Sequence, residues 1–155
     1  MTIEKAHPSD WNNIRTVLSE CGFPEAAMRV TDASRFLVAR SGCCIVGVAG
    51  ITPCEHQAIG HSLAVVPGFR GFGLGRQLAN SLLQWSAELG MSALFLFTCQ
   101  AEFFFRAMGF SVIDHPLVPS EIYEALCHLC EPASVQAGHI LHYQLESQSV
   151  QSLIA

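Results

Sequence analysis

At 155 residues the chain is long enough for one domain with a sizeable core and too short for two ordinary ones. Half of the residues are hydrophobic and 14% are charged, which excludes intrinsic disorder and describes a globular chain. The formal charge is −5, and seven of the eight basic residues are arginine; this argues against a nucleic-acid surface, which needs clustered positive charge, and suits local, geometry-specific anion contacts.

Residues 2–7 predict a short strand, ended by His7-Pro8-Ser9-Asp10, which offers a helix cap. Trp11, Ile14, Val17 and Leu18 then fall at helical spacing up to Gly22. A second short helix is expected over 23–30. Phe36–Arg40 and Cys44–Thr52 read as strands joined by Ser41-Gly42, and Ala58–Val66 reads as a third strand of the same sheet. After a glycine loop, Leu74, Leu78, Leu82, Trp85 and Leu89 mark one face of a helix closed by Gly90. ALFLFT (93–98) has the continuous apolar character of a strand buried on both faces. A helix over 101–110, a strand at 111–113, a helix at 119–128 and a strand at 140–145 complete the series. No linker or repeat interrupts residues 1–155, so a single mixed α/β domain is expected, with antiparallel strands first and a strand–helix–strand crossover in the middle.

MTIEKAHPSDW carries no apolar signal core, and no run approaches the length of a membrane span. The seven cysteines form no secreted pattern, and Cys43, Cys44, Cys54 and Cys99 sit in apolar runs as small hydrophobes. A reducing cytoplasm is the expected location, without a membrane partner. Cys127-His128-Leu129-Cys130 supplies two zinc ligands where four are wanted, so no metal is expected.

The stretch VVPGFRGFGLGR (65–76) carries the chemistry. A dinucleotide fingerprint would need its third glycine one place later, and a Walker loop would need a lysine. What remains is R-G-x-G-x-G opening a helix. Its glycines let several amides face one point, and the helix N-terminus adds partial positive charge, an arrangement suited to a pyrophosphate.

LAVVPGFRGFGLGRQL resembles the acetyl-CoA-binding motif of the Gcn5-related N-acetyltransferases (GNAT), and FFFRAMGF resembles their C-terminal F-Y-x-x-x-G-F element. The order of elements fits along nearly the whole chain. Over the last third, LFLFTCQAEFFFRAMGFSVIDHPLVPSEI is similar to short N-acetylglutamate synthases and to acetyltransferases encoded in arsenic-resistance operons. The resemblance implies a central, mostly antiparallel sheet flanked by helices, acetyl-CoA as cosubstrate, a small amine or amino acid as acceptor, and dimers as a frequent assembly.

It also implies roles for residues. Main-chain amides at Leu63, Ala64 and Val65 would face the thioester carbonyl, and Arg70, Gly71, Phe72, Gly73, Leu74, Gly75 and Arg76 would hold the pyrophosphate. The family's usual acid is the tyrosine four residues before the glycine, and here that position is Phe105, which cannot donate a proton. With Phe103 and Phe104 it is expected to form core plus the wall of the cofactor site, so the thiolate leaves unassisted, through water, or with Cys99, Tyr123 or Tyr143 as donor. Phe105 also admits a second reading, a degenerate acetyl-CoA-binding sensor or scaffold. His61, with Glu55 or His56 behind it, is the candidate general base, because an imidazole titrates in the useful range. Thr98 is a candidate substrate contact or a cap. With Arg70 and Arg76 assigned to the cofactor, Arg29 and Arg35 are the expected holders of an acidic acceptor.

Overall fold

The computed structural model describes residues 1–24, 35–130 and 132–145. Strand β1 (Thr2–Lys5) leads through a 3-10 turn into α1 (Trp11–Glu20). The carboxylate of Asp10 sets this junction: it accepts the His7 amide at 2.8 Å and the Arg40 guanidinium, which also reaches Glu4. Arg40 therefore holds Asp10 below the usual carboxylate range. Strand β2 (Phe36–Ser41) pairs antiparallel with β1 and with β3 (Cys44–Cys54), and a two-residue turn at Gly42, with φ 62°, closes the second pairing. Strand β3 runs two residues beyond the expected end, through Pro53. The short helix expected over 23–30 falls largely on residues 25–34, outside those described, and Phe23 and Pro24 are not helical.

Strand β4 (Gln57–Val65) is followed by a 3-10 turn at Pro67–Phe69, the glycine loop and α2 (Leu74–Glu88). Then come β5 (Ala93–Thr98), α3 (Glu102–Ala107), β6 (Ser111–Ile113), α4 (Ser120–Leu129), α5 (Pro132–Ala137) and β7 (His139–Gln144). Among the described residues the strands form a seven-stranded sheet in the order β1-β2-β3-β4-β5-β7-β6. Strand β4 runs parallel to β5 at Ala58↔Leu94 and Ile59↔Phe95, while the β5–β7 and β6–β7 pairs are antiparallel. The sheet is thus mixed and mostly antiparallel, with helices packed on it, as the motifs imply.

Contacts group the chain into two units, Met1–Ile51 with His61–Leu82, and Thr52–Gly60 with Leu83–Ala155. In the first, Ile14, Val17 and Leu18 of α1 pack on Phe36, Val38, Ile45, Val48 and Ala64. At Gly47, Leu78 of α2 comes so close that an added Cβ would meet its Cδ1 at 2.9 Å, so the glycine is what admits the helix. In the second unit the core is Ile59, Ala93, Phe95, Val118, Ile122, Leu126, Val135 and Ile140. One helix here was not expected, and one expectation fails. Helix α5 has no apolar stripe to announce it, only Val135 being buried among its described side chains. Leu89, expected on the buried face of α2, is 44% exposed because the helix ends at Glu88.

Candidate active site

Strand β4 approaches the glycine loop with an irregularity. Ser62 stands at φ 55°, a left-handed conformation in mid-strand, and its neighbour His61 is pinned on several sides. The Phe36 ring meets the imidazole edge-on, with centroids 5.7 Å apart at 87°. Gly50 of β3 lies directly against it, and a Cβ there would fall 2.4 Å from His61 Cε1. The Ser62 hydroxyl is 3.0 Å from Nδ1, and the Ile51 carbonyl accepts a hydrogen bond from the ring. Burial first, and then the charge of Arg35, hold the imidazole down at about 4, with the Ile51 carbonyl pulling weakly the other way. His61 is therefore neutral at any ordinary pH. Arg35, exposed just before β2, is brought into the electrostatic reach of His61 by the adjoining Phe36.

At the end of β4 the Val65 carbonyl accepts Arg70 Nε at 2.8 Å and the Cys21 thiol at 3.4 Å, while the Val66 amide donates to Val46. Arg70 thus braces the start of the loop. Gly71 and Gly73 have φ 85° and 81°, and an added Cβ would meet nothing within 4 Å at either. Residues 70–73 are exposed, Phe72 at 79%. The first backbone bond into α2 runs from the Gln77 amide to the Gly73 carbonyl at 3.1 Å, so the amides of Leu74, Gly75 and Arg76 form the open first turn of a 15-residue helix. Two left-handed glycines, the first turn of α2 and the exposed Arg70 and Arg76 bring together the kinds of donor that an anion would need. Of the strand residues ahead of it, Leu63 and Val65 are partly exposed and Ala64 is buried.

The other expected residues lie in the second unit. Thr98 Oγ1 accepts the amides of Gln100 at 3.3 Å and Ala101 at 2.9 Å, so it caps the turn into α3; its capping role is the one observed. Cys99, beside it, is exposed. Phe105 is 8% exposed, stacked edge-on against Phe104 at 5.0 Å and Phe110 at 5.5 Å, and Phe110 continues to Tyr143. The three phenylalanines divide: Phe105 is core, in an aromatic row, as the first part of that expectation has it, while Phe103 is 81% exposed. Glu55 and His56, expected behind His61, occupy the β3–β4 turn of the second unit, where the Ser92 amide and hydroxyl hold the His56 carbonyl. Tyr123 packs against His115, and Arg106 pairs with Glu102. Cys127 and Cys130 are partly buried at the end of α4, and among the described residues no group of three or more His, Cys, Asp or Glu is placed to hold a metal. Arg29 lies outside the described residues. Ser62 and Gly50 were missed in the sequence: a serine in an alternating strand and a glycine in an apolar one carry no local signal.

Residues 4–110 match the Acetyltransferase (GNAT) family. An amino-acid acetyltransferase of Mycobacterium tuberculosis is 33% identical over 66 residues, which cover 43% of this chain and 37% of that protein. The match thus spans little more than a third of that relative's length. Among solved structures, a Mycobacterium tuberculosis protein in complex with CoA superposes with a TM-score of 0.77 at 20% identity, over 94% of this chain and all of the other. N-acetylglutamate synthase from Neisseria gonorrhoeae, complexed with coenzyme A and N-acetyl-glutamate, gives 0.79 at 18% identity, over 94% of this chain and 35% of that one. No described helix is long and apolar enough to cross a membrane.

Proposed function

Because the chain belongs to the Acetyltransferase (GNAT) family, we propose that it transfers an acetyl group from acetyl-CoA to the amine of a free amino acid or a close analogue, by direct attack on the thioester. The observation that carries the coenzyme part is the loop from Arg70 to Arg76, with its two left-handed glycines and open helix start. Those amides and guanidiniums bind the pyrophosphate, and the end of β4 directs main-chain amides of Leu63, Ala64 and Val65 toward the thioester carbonyl as negative charge develops on its oxygen. The acceptor part draws on the amino-acid acetyltransferase relative, on the neighbour that holds N-acetyl-glutamate, and on Arg35, an exposed cation near His61 that suits a substrate carboxylate.

The amine attacks as its neutral form. Once the thiolate has left, the nitrogen of the N-protonated amide is strongly acidic, so even a weakly basic imidazole such as His61 accepts that proton. The coenzyme leaves as a thiolate, an adequate leaving group near neutral pH without a tyrosine at position 105. Release of coenzyme thiol with a panel of amino acids and simple amines tests the reading. Turnover preferring acidic amino acids supports it; tight acetyl-CoA binding with no turnover on any amine would leave a coenzyme-binding protein instead.

A further inference from the structure

Among the described residues only Asp10, Ser62 and Ser86 are buried and polar, and Ser62 alone of these sits in a left-handed backbone conformation. Glycine is the ordinary tenant of such a position, and asparagine or aspartate the next. A serine contributes no backbone advantage there, so what it adds is its hydroxyl. That hydroxyl, 8% exposed with its residue, meets His61 Nδ1 at 3.0 Å. The ring has little freedom otherwise: Phe36 closes one edge, and Gly50 leaves space that the imidazole already fills.

We propose that Ser62 is a positioning residue for acetyl transfer, its hydroxyl fixing the orientation and proton placement of the His61 imidazole. The inference rests on the reading of His61 given above. Its partners divide the work chemically. The Ile51 carbonyl can only accept a hydrogen bond, whereas a hydroxyl donates or accepts. Ser62 is therefore the partner able to reverse its bond when a proton reaches the ring or leaves it, and the ring need not turn. The charge facing the imidazole is that of Arg35 on the segment leading into β2.

A double-mutant cycle with steady-state kinetics on the full chain tests this. Ser62→Ala is expected to lower kcat roughly tenfold or more with the acetyl-CoA KM unchanged, and to cost nothing further in a His61→Ala background. Ser62→Gly, which relieves the backbone and so guards against a folding defect, should lose kcat like Ser62→Ala. Wild-type kcat in Ser62→Ala, or equal losses with and without His61, would overturn the role of Ser62 alone. Wild-type turnover in His61→Ala would remove the His61 reading and this inference with it, and absence of acetyl transfer by the unaltered protein would remove the family-based one.

Discussion

The stretch from His61 to Arg76 and the helix from Glu102 to Ala107 both carry family motifs, yet they use their residues in opposite ways. In the first, the distinctive features belong to the backbone: left-handed conformations at Ser62, Gly71 and Gly73, open space round the last two, and amides at a helix start. In the second, side chains face one another, with Phe104, Phe105, Phe110 and Tyr143 in one aromatic row and Glu102 bridging Arg106 and His139. A motif match therefore means different things in the two places. Where function resides in the main chain, residues without polar side chains can retain it; where the family relies on a side chain, a phenylalanine at that position keeps the packing and drops the proton.

The largest expected effect probes the first region through its buried imidazole. His61 titrates at about 4 in the folded chain against 6.5 for a free side chain. As pH falls the unfolded chain binds that proton first, so the stability contribution is complete above about pH 6.5 and disappears progressively down to about pH 4, where about 3 kcal/mol has been lost. Urea unfolding at pH 7 and pH 4.5 should show a loss that His61→Asn largely abolishes; the same pH dependence in both proteins would mean the imidazole is not buried as described. Next comes Gly73→Val, which forces a β-branched residue to φ 81° and sets bulk where the proposed function brings a phosphate. The acetyl-CoA KM should rise about a hundredfold, or about 2.7 kcal/mol, with the fold intact by circular dichroism. Unchanged coenzyme affinity would move the anion site off this loop.

Arg35→Ala should raise the acceptor KM about tenfold, the worth of one charge-assisted contact, and leave the coenzyme KM alone. If cationic and acidic acceptors respond equally, Arg35 is not the carboxylate partner. The smallest effect belongs to the second region. Phe105→Tyr restores the family's residue, but it places a hydroxyl on a ring that is 8% exposed and packed among aromatics. Turnover should stay within about twofold, with stability lower by about 1 kcal/mol from the buried hydroxyl. A large gain in kcat would show that the row opens to the reacting groups.

How much was legible in the sequence follows the same division. The glycine loop reads directly, because only glycine serves comfortably at φ values near 80°, and the apolar runs of β2–β5 and the leucine stripe of α2 fix most of the architecture. Helix α5, short and opening on a proline, has too little periodicity to be seen. Pro53 looked like a strand end, though β3 continues past it. The site residues that escaped, Ser62 and Gly50, are defined by a backbone angle and by cross-strand neighbours, neither of which leaves a mark along the chain. Thr98 was visible only as one of two roles, and the hydrogen bonds to Gln100 and Ala101 assign the capping one.

The contact between Gly50 and His61 binds two positions 11 residues apart into one volume. A methyl group at position 50 would overlap the imidazole, so either site can grow only if the other shrinks. Sequences sharing this arrangement should vary at the two positions together: a side chain at the first should accompany a small residue at the second, and the ring should be inherited only with the glycine. For anyone redesigning the surroundings of His61, Gly50 is thus the position through which the imidazole can be displaced without touching the strand that carries it.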